Sequence, residues 1–332
     1  MTAATPQPAA RDLAAAGRGT VLVTGGSSGI GLATALVLAE RRTPLVLLAR
    51  SAPALAEAAR QCRAAGSPAV GTVVCDVTDR AAVERAFEQA GPVEAVVQAA
   101  GVIAYAEFRE LPDEHLDRVL EVTLLGAANV VRTALQHFHA RGSRGDLVVV
   151  GSLLGRVVTP YMSSYITAKW ALHGLVRTVQ VEQRRHRAVR VSLVAPGPVD
   201  TPIYEHAASR LPLGRRPPLP VDSPESVAEA VMSCLDRPRR MRMVGTLGPW
   251  VAFGFTVLPG LYDAIVTRVF HAVAMTRTPA ERSEGNLFAP VEGEQVHGGW
   301  VRPGRPLDRV RAGRVPPRHG RAARHLEDEC AP

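Results

Sequence analysis

The sequence predicts an α/β fold in which a doubly wound parallel sheet carries helices on both faces, and three observations lead to it. Strand-like β-branched runs alternate with amphipathic stretches along most of the 332 residues. The first run passes straight into a glycine-rich turn and then a helical stretch, the order that opens a nucleotide-binding α/β unit. Side chains able to do chemistry fall just after the strand-like runs, where loops at the carboxyl ends of parallel strands form a ligand crevice.

Met1 to Gly17 is rich in Ala and Pro but lacks a basic start followed by an apolar stretch, so residues 1–17 read as a disordered lead and not a secretory signal. Thr20 to Val23 is the first strand. It leads into Thr24-Gly25-Gly26-Ser27-Ser28-Gly29-Ile30-Gly31 and then the helical Leu32 to Arg41. The glycines let the backbone turn sharply and approach a pyrophosphate, whose charge meets backbone N–H groups and the positive end of the helix. A tight turn with no ligand is the plainer alternative.

Pro44 to Ala49 is the second strand, and Arg50 follows it where a carboxylate for ribose hydroxyls would stand in an NAD site. A guanidinium there suits a 2′-phosphate, with Ser27 or Ser28 adding a hydrogen bond, so NADP(H) is favoured over NAD(H). Val70 to Val74 is the third strand. After it, Asp76-Val77 offers a carboxylate to an adenine amino group. Val93 to Gln98, Asp146 to Val150 and Val189 to Val194 continue the sheet. Ser223-Pro224-Glu225 starts a helix with a capping hydroxyl and Pro in its first turn, and Met241 to Val244 completes the sheet.

Of the 39 Lys and Arg side chains, a single one is lysine. Lys169 follows Tyr165 by one helical turn, which puts both on one face, and a compact ammonium favours a phenolate whose ordinary pKa is about 10. The pair makes a tunable proton donor. By itself it also fits a surface helix contact.

Four elements together carry a resemblance: the Thr24-Gly25-x-x-x-Gly29-x-Gly31 turn, Ser152 placed before Tyr165, Tyr165-x-x-x-Lys169, and Pro196-Gly197-Pro198-Val199-x-Thr201. Over roughly residues 18 to 245 the chain resembles the short-chain dehydrogenase/reductase superfamily. That resemblance implies one Rossmann domain of seven parallel strands over residues 18–248, a small-molecule carbonyl or alcohol substrate, and a dimer or tetramer of identical chains. It also implies a catalytic Ser152, Tyr165 and Lys169, with Lys169 binding nicotinamide ribose hydroxyls and lowering the Tyr165 pKa. Gly25, Gly29, Ile30, Gly31, Gly101, Pro196, Gly197 and Val199 would shape the cofactor site, and Thr201 would hold the carboxamide. Where most relatives read Asn-Ala-Gly, this chain reads Ala99-Ala100-Gly101, with Gln98 one place earlier. The helical Asn that usually holds a relay water is replaced by Thr123, whose hydroxyl can still hold one, and Asn129 lies too far along to substitute.

The formal net charge of +8 concentrates in Arg302 to Arg324, eight arginines against the single acid Asp308. It therefore marks a basic disordered tail, residues 301–332, and no specific nucleic-acid site. Cys62, Cys75, Cys234 and Cys330 show no zinc or redox spacing, so reduced thiols in a cytoplasmic protein are expected. His137 and His139 read as cations at a helix end and not as a metal site. Residues 249–300 form an apolar and amphipathic extension. Gly and Pro break its apolar face, which favours packing on its own domain or a partner chain over membrane contact through 249–275. The resemblance implies that the variable stretch after Thr201, here Pro202 to Pro220, covers the substrate, and its many prolines suggest a cover of limited flexibility. The expected function is an NADP(H)-dependent reductase or alcohol dehydrogenase for a fairly apolar substrate. A non-enzymatic NADP-binding sensor or scaffold, and a peripheral membrane protein, are the alternatives.

Overall fold

In the computed structural model, which describes residues 19–291 and 295–300, the buried β-branched runs form seven strands. These are β1 (Thr20–Thr24), β2 (Leu45–Ala49), β3 (Val70–Val74), β4 (Val93–Gln98), β5 (Gly145–Val150), β6 (Val189–Pro196) and β7 (Arg242–Val244). All pair in parallel in the order β7-β6-β5-β4-β1-β2-β3. The expectations for residues 1–17 and 301–332 fall outside the described residues.

Alternation along each strand sends side chains to two cores, as a period of two requires. Leu22, Val46 and Leu48 face one core. Val21, Val23, Leu45 and Leu47 face the other. The first core is covered by α3 (Arg80–Ala90), α4 (Asp113–Leu120), α5 (Ala127–Ala140) and α6 (Ser163–Glu182). The second is covered by α1 (Gly29–Glu40), α2 (Ala52–Ala64) and α7 (Pro224–Asp236). Side-chain caps fix three starts: Ser51 accepts from Ala54 N, Asp79 from Ala82 N, and Ser223 from Ser226 N.

Strand order reverses between β1 and β4, and the turns after those two strands form the crevice expected at such a switch point. The turn after β1 needs its glycines. Gly25 has φ +64°, and a Cβ on Gly31 would sit 2.1 Å from the Gly25 carbonyl oxygen. The turn after β4 is tied to it through Thr24, whose hydroxyl bonds the Gln98 side chain and accepts from Ala99 N at 3.2 Å and Ala100 N at 3.4 Å.

Beyond β7 come α8 (Gly248–Val257) and α9 (Pro259–Ala274), then Met275–Pro279, paired antiparallel with Leu213–Arg215 from the proline-rich region. Phe270, Ala274 and Leu287 join the first core, Leu287 with no exposure at all. Among the described residues no helix is long and apolar enough to cross a membrane.

Candidate active site

Ser152 leaves the carboxyl end of β5, and Tyr165 and Lys169 sit one turn apart on the buried face of α6. All three line one cavity of about 500 Å³. The Ser152 hydroxyl lies close enough to the Tyr165 phenol to favour its ionised form. The Ser152 oxygen also accepts from Leu154 N at 3.1 Å, which orients it at the start of a short helical turn, Leu153–Gly155. Ile30, Gly101, Pro196, Gly197, Val199 and Thr201 line the same cavity, so the residues expected at the nicotinamide end converge with the reactive side chains. Those residues fit a nicotinamide there, because hydroxyl and ammonium donors and two backbone glycines, Gly101 and Gly197, line the same cavity.

Burial governs the charge states. It pushes the Tyr165 phenol up to about 12, against the hydrogen bond from Ser152 that pulls it down. It pulls the Lys169 ammonium down to about 8. The sequence reading had Lys169 lower the phenol, and here that effect does not win. The ammonium lies 5.6 Å from the ring centroid and donates to the Val150 carbonyl at 2.9 Å, so its charge is aimed at β5 and not at the phenol oxygen.

The adenosine side is arranged differently from expectation. Arg50 donates to the carbonyls of Leu287, at 3.0 Å, and Asn286. Asp76 accepts from Thr78 N at 3.0 Å and the Thr78 hydroxyl at 2.8 Å, and pairs with Arg118. Burial opposes the Asp76 charge most strongly, yet the bonds from Thr78 and Arg118 together hold its carboxyl below the ordinary value. Val77 is buried, with its carbonyl taking a bond from Asn129 at 3.0 Å. Gly29 N–H, at the start of α1, donates to the Gln295 carbonyl at 2.9 Å. Ser27 is buried beside it, and Ser28 precedes α1 without a side-chain cap bond.

Thr123 lies in a π-helical turn, Glu121–Gly126, that joins α4 to α5. Its hydroxyl accepts from Val102 N at 3.1 Å and donates to Val102 O at 3.2 Å. One lone pair is left for a further partner.

Two features escaped the sequence reading. His173, one turn beyond Lys169, accepts from Ser152 N at 3.3 Å through Nε2. Burial, with help from Lys169 and Arg156, pulls its pKa down to about 4, so it is a neutral acceptor bracing the Ser152 loop. Gly151 and Gly155 were the available signal, because a Cβ on either would lie within 2.5 Å of the His173 ring. The second feature is the chain after Glu284. It crosses from Arg50 past Gly29 to Asp200, whose carboxylate accepts from Trp300 N at 2.9 Å.

The family model for short chain dehydrogenase matches residues 19–211. The chain belongs to the short-chain dehydrogenase family. It is an oxidoreductase of that family and, like it, depends on a nicotinamide cofactor. Similar proteins include the uncharacterized oxidoreductase YxnA of Bacillus subtilis, 32% identical over 85% of this chain and 82% of that one. A cis-4-hydroxycyclohexanecarboxylate dehydrogenase of Sinomonas cyclohexanicum is 38% identical over 63% of this chain and 86% of its own. Among solved structures, an alcohol dehydrogenase from the archaeon Thermococcus sibiricus, complexed with 5-hydroxy-NADP, superposes with a TM-score of 0.58 at 30% identity, covering 68% of this chain and 95% of that one.

Proposed function

We propose that this oxidoreductase uses NADP(H) to interconvert a carbonyl and a secondary alcohol on a fairly apolar substrate, with Tyr165 as the general acid and base. The observation that carries the proposal is the cavity: Ser152, Tyr165 and Lys169 line it together with Ile103, Val157, Met162, Ile265 and Phe270. Bound in the crevice, the dinucleotide supplies or accepts a hydride. Ser152 donates to the substrate oxygen as negative charge develops on it. Tyr165, kept protonated at neutral pH by its burial, delivers the proton in reduction and takes it back in oxidation. Lys169 keeps donors free of Val150 with which to hold ribose hydroxyls, and its proton is loosely enough held to take part in a relay. The NADP preference rests on Arg50 after β2. A guanidinium at that place suits a 2′-phosphate, which a planar fork of donors binds well. The 5-hydroxy-NADP complex of the archaeal relative is in keeping with it.

The test is a panel of ketones and secondary alcohols of graded size and polarity, followed by NADPH absorbance. Turnover confined to apolar members, faster with NADPH than NADH, supports the reading. Cofactor binding with no turnover on any member would favour a sensor or scaffold.

A further inference from the structure

Residues of α8 and α9 help to line the cavity, and the outer faces of that pair are apolar. On α8, Trp250, Phe253 and Val257 recur at helical spacing and stand in solvent, Trp250 at 74% exposure and Phe253 at 57%. On α9, Leu261, Ile265 and Val269 form a second exposed stripe. Apolar residues at that spacing ordinarily face a core, and two such stripes on packed helices make a patch of the kind that marks an interaction site. The α9 stripe is exposed and also lines the cavity, so the patch borders the cavity that holds Ser152 and Tyr165.

We propose that this face docks on an anionic lipid surface, and that the substrate is a lipid-soluble carbonyl compound or alcohol drawn from the bilayer directly into the cavity. The substrate half of the proposal rests on the redox reading above. Three observations point to lipid. From Gly248 to Ala274 there is one acid, Asp263, and the exposed cation Arg268 balances it, so the pair of helices carries no net charge that opposes an anionic surface. The chain is basic overall, with its excess of arginine between Arg302 and Arg324, the composition that draws a protein to acidic headgroups. A rigid protein seated on this face would also obstruct the cavity, whereas a fluid bilayer covers the stripes and still delivers solute between them. With no helix long enough to span among the described residues, the contact is interfacial.

The full-length chain is sedimented with phosphatidylcholine vesicles with and without phosphatidylglycerol, alongside a Trp250→Ser, Phe253→Ser double variant. Neither substituted residue lines the cavity. Turnover is measured on a water-soluble ketone from the panel above and on a long-chain methyl ketone dissolved in the vesicles. The wild type is expected to sediment with phosphatidylglycerol vesicles. The double variant should lose at least about tenfold in vesicle partition, the scale set by removing two large apolar side chains from the contact. Its rate on the vesicle-borne ketone should fall in proportion, with its rate on the soluble ketone unchanged. Absence of vesicle binding by the wild type, or equal binding by the variant, overturns the proposal. So does a wild-type dimer, seen by light scattering, that the variant splits, because the face then belongs to a second copy of this chain. If no ketone is reduced by any form, the redox reading fails along with the substrate half, while sedimentation still decides the docking half.

Discussion

Replacing Lys169 by Met should make the protein more stable at neutral pH while removing its activity. The side chain is 5% exposed and its ammonium has one hydrogen bond, to the Val150 carbonyl at 2.9 Å. Burial takes its pKa from 10.5 to about 8. At roughly 1.36 kcal/mol per pH unit, carrying this charge in the fold costs about 3 kcal/mol below pH 8. A methionine of similar length removes that cost and forfeits about 1 kcal/mol for the lost bond to Val150. The net gain near neutral pH is then about 2 kcal/mol. The folded state binds the proton less tightly than the unfolded chain. Wild-type stability from this group therefore rises as pH climbs from about 8 to 10.5, and is lost as pH falls back through that window. The Met variant has no such dependence, so its advantage should shrink with rising pH and turn into a deficit above the window. Urea unfolding without cofactor, at neutral pH and near pH 10, measures the gap at both ends. A Met variant less stable than wild type at neutral pH, or a gap unchanged by pH, would refute the reasoning.

Tyr165→Phe should abolish turnover and leave NADPH affinity within a few-fold, since it keeps the ring and removes the transferable proton; surviving turnover by NADPH absorbance would end the catalytic assignment. Arg50→Asp should shift the ratio of NADPH to NADH affinity toward NADH by about ten- to a hundred-fold, the worth of a charge-assisted bond. An unchanged ratio in fluorescence titrations would mean that Arg50 does not reach the ribose. Thr123→Val leaves both polar groups of Val102 without their side-chain partner, which should cost about 1–3 kcal/mol in urea unfolding. If turnover falls further than that loss of folded protein explains, the hydroxyl also serves the relay, and if kcat is untouched it is purely a brace.

The sheet was legible because most of its strands are continuous Val- and Leu-rich runs buried on both faces, and such runs leave few alternatives. Their ends shifted by a residue or two, as at Pro44 and Asp146, where neighbouring backbone and not side-chain pattern sets the boundary. Ser152, Tyr165 and Lys169 could be placed together from spacing, because a strand end and one helix turn fix their separation. What Lys169 does to Tyr165 was not legible. The sign depends on whether burial or the nearby charge dominates, and that is decided by where Nζ points. A lone histidine such as His173 carries no pattern of its own, and Thr123 bonds a backbone 21 residues away. The chain after Glu284 reads as irregular because its role depends on carbonyls, which every residue possesses.

Gly285, at φ +53°, lies where a Cβ would come 2.2 Å from the His206 carbonyl, and two residues later Leu287 plugs the core. Both are made after every strand of the sheet and after the Ser-Tyr-Lys set. During synthesis the nascent chain can therefore assemble its sheet early, yet it must hold an open seam until the ribosome has passed Trp300. A chain ending before Gly285 would carry every strand and the Ser-Tyr-Lys set but lack the Leu287 side chain that fills the first core.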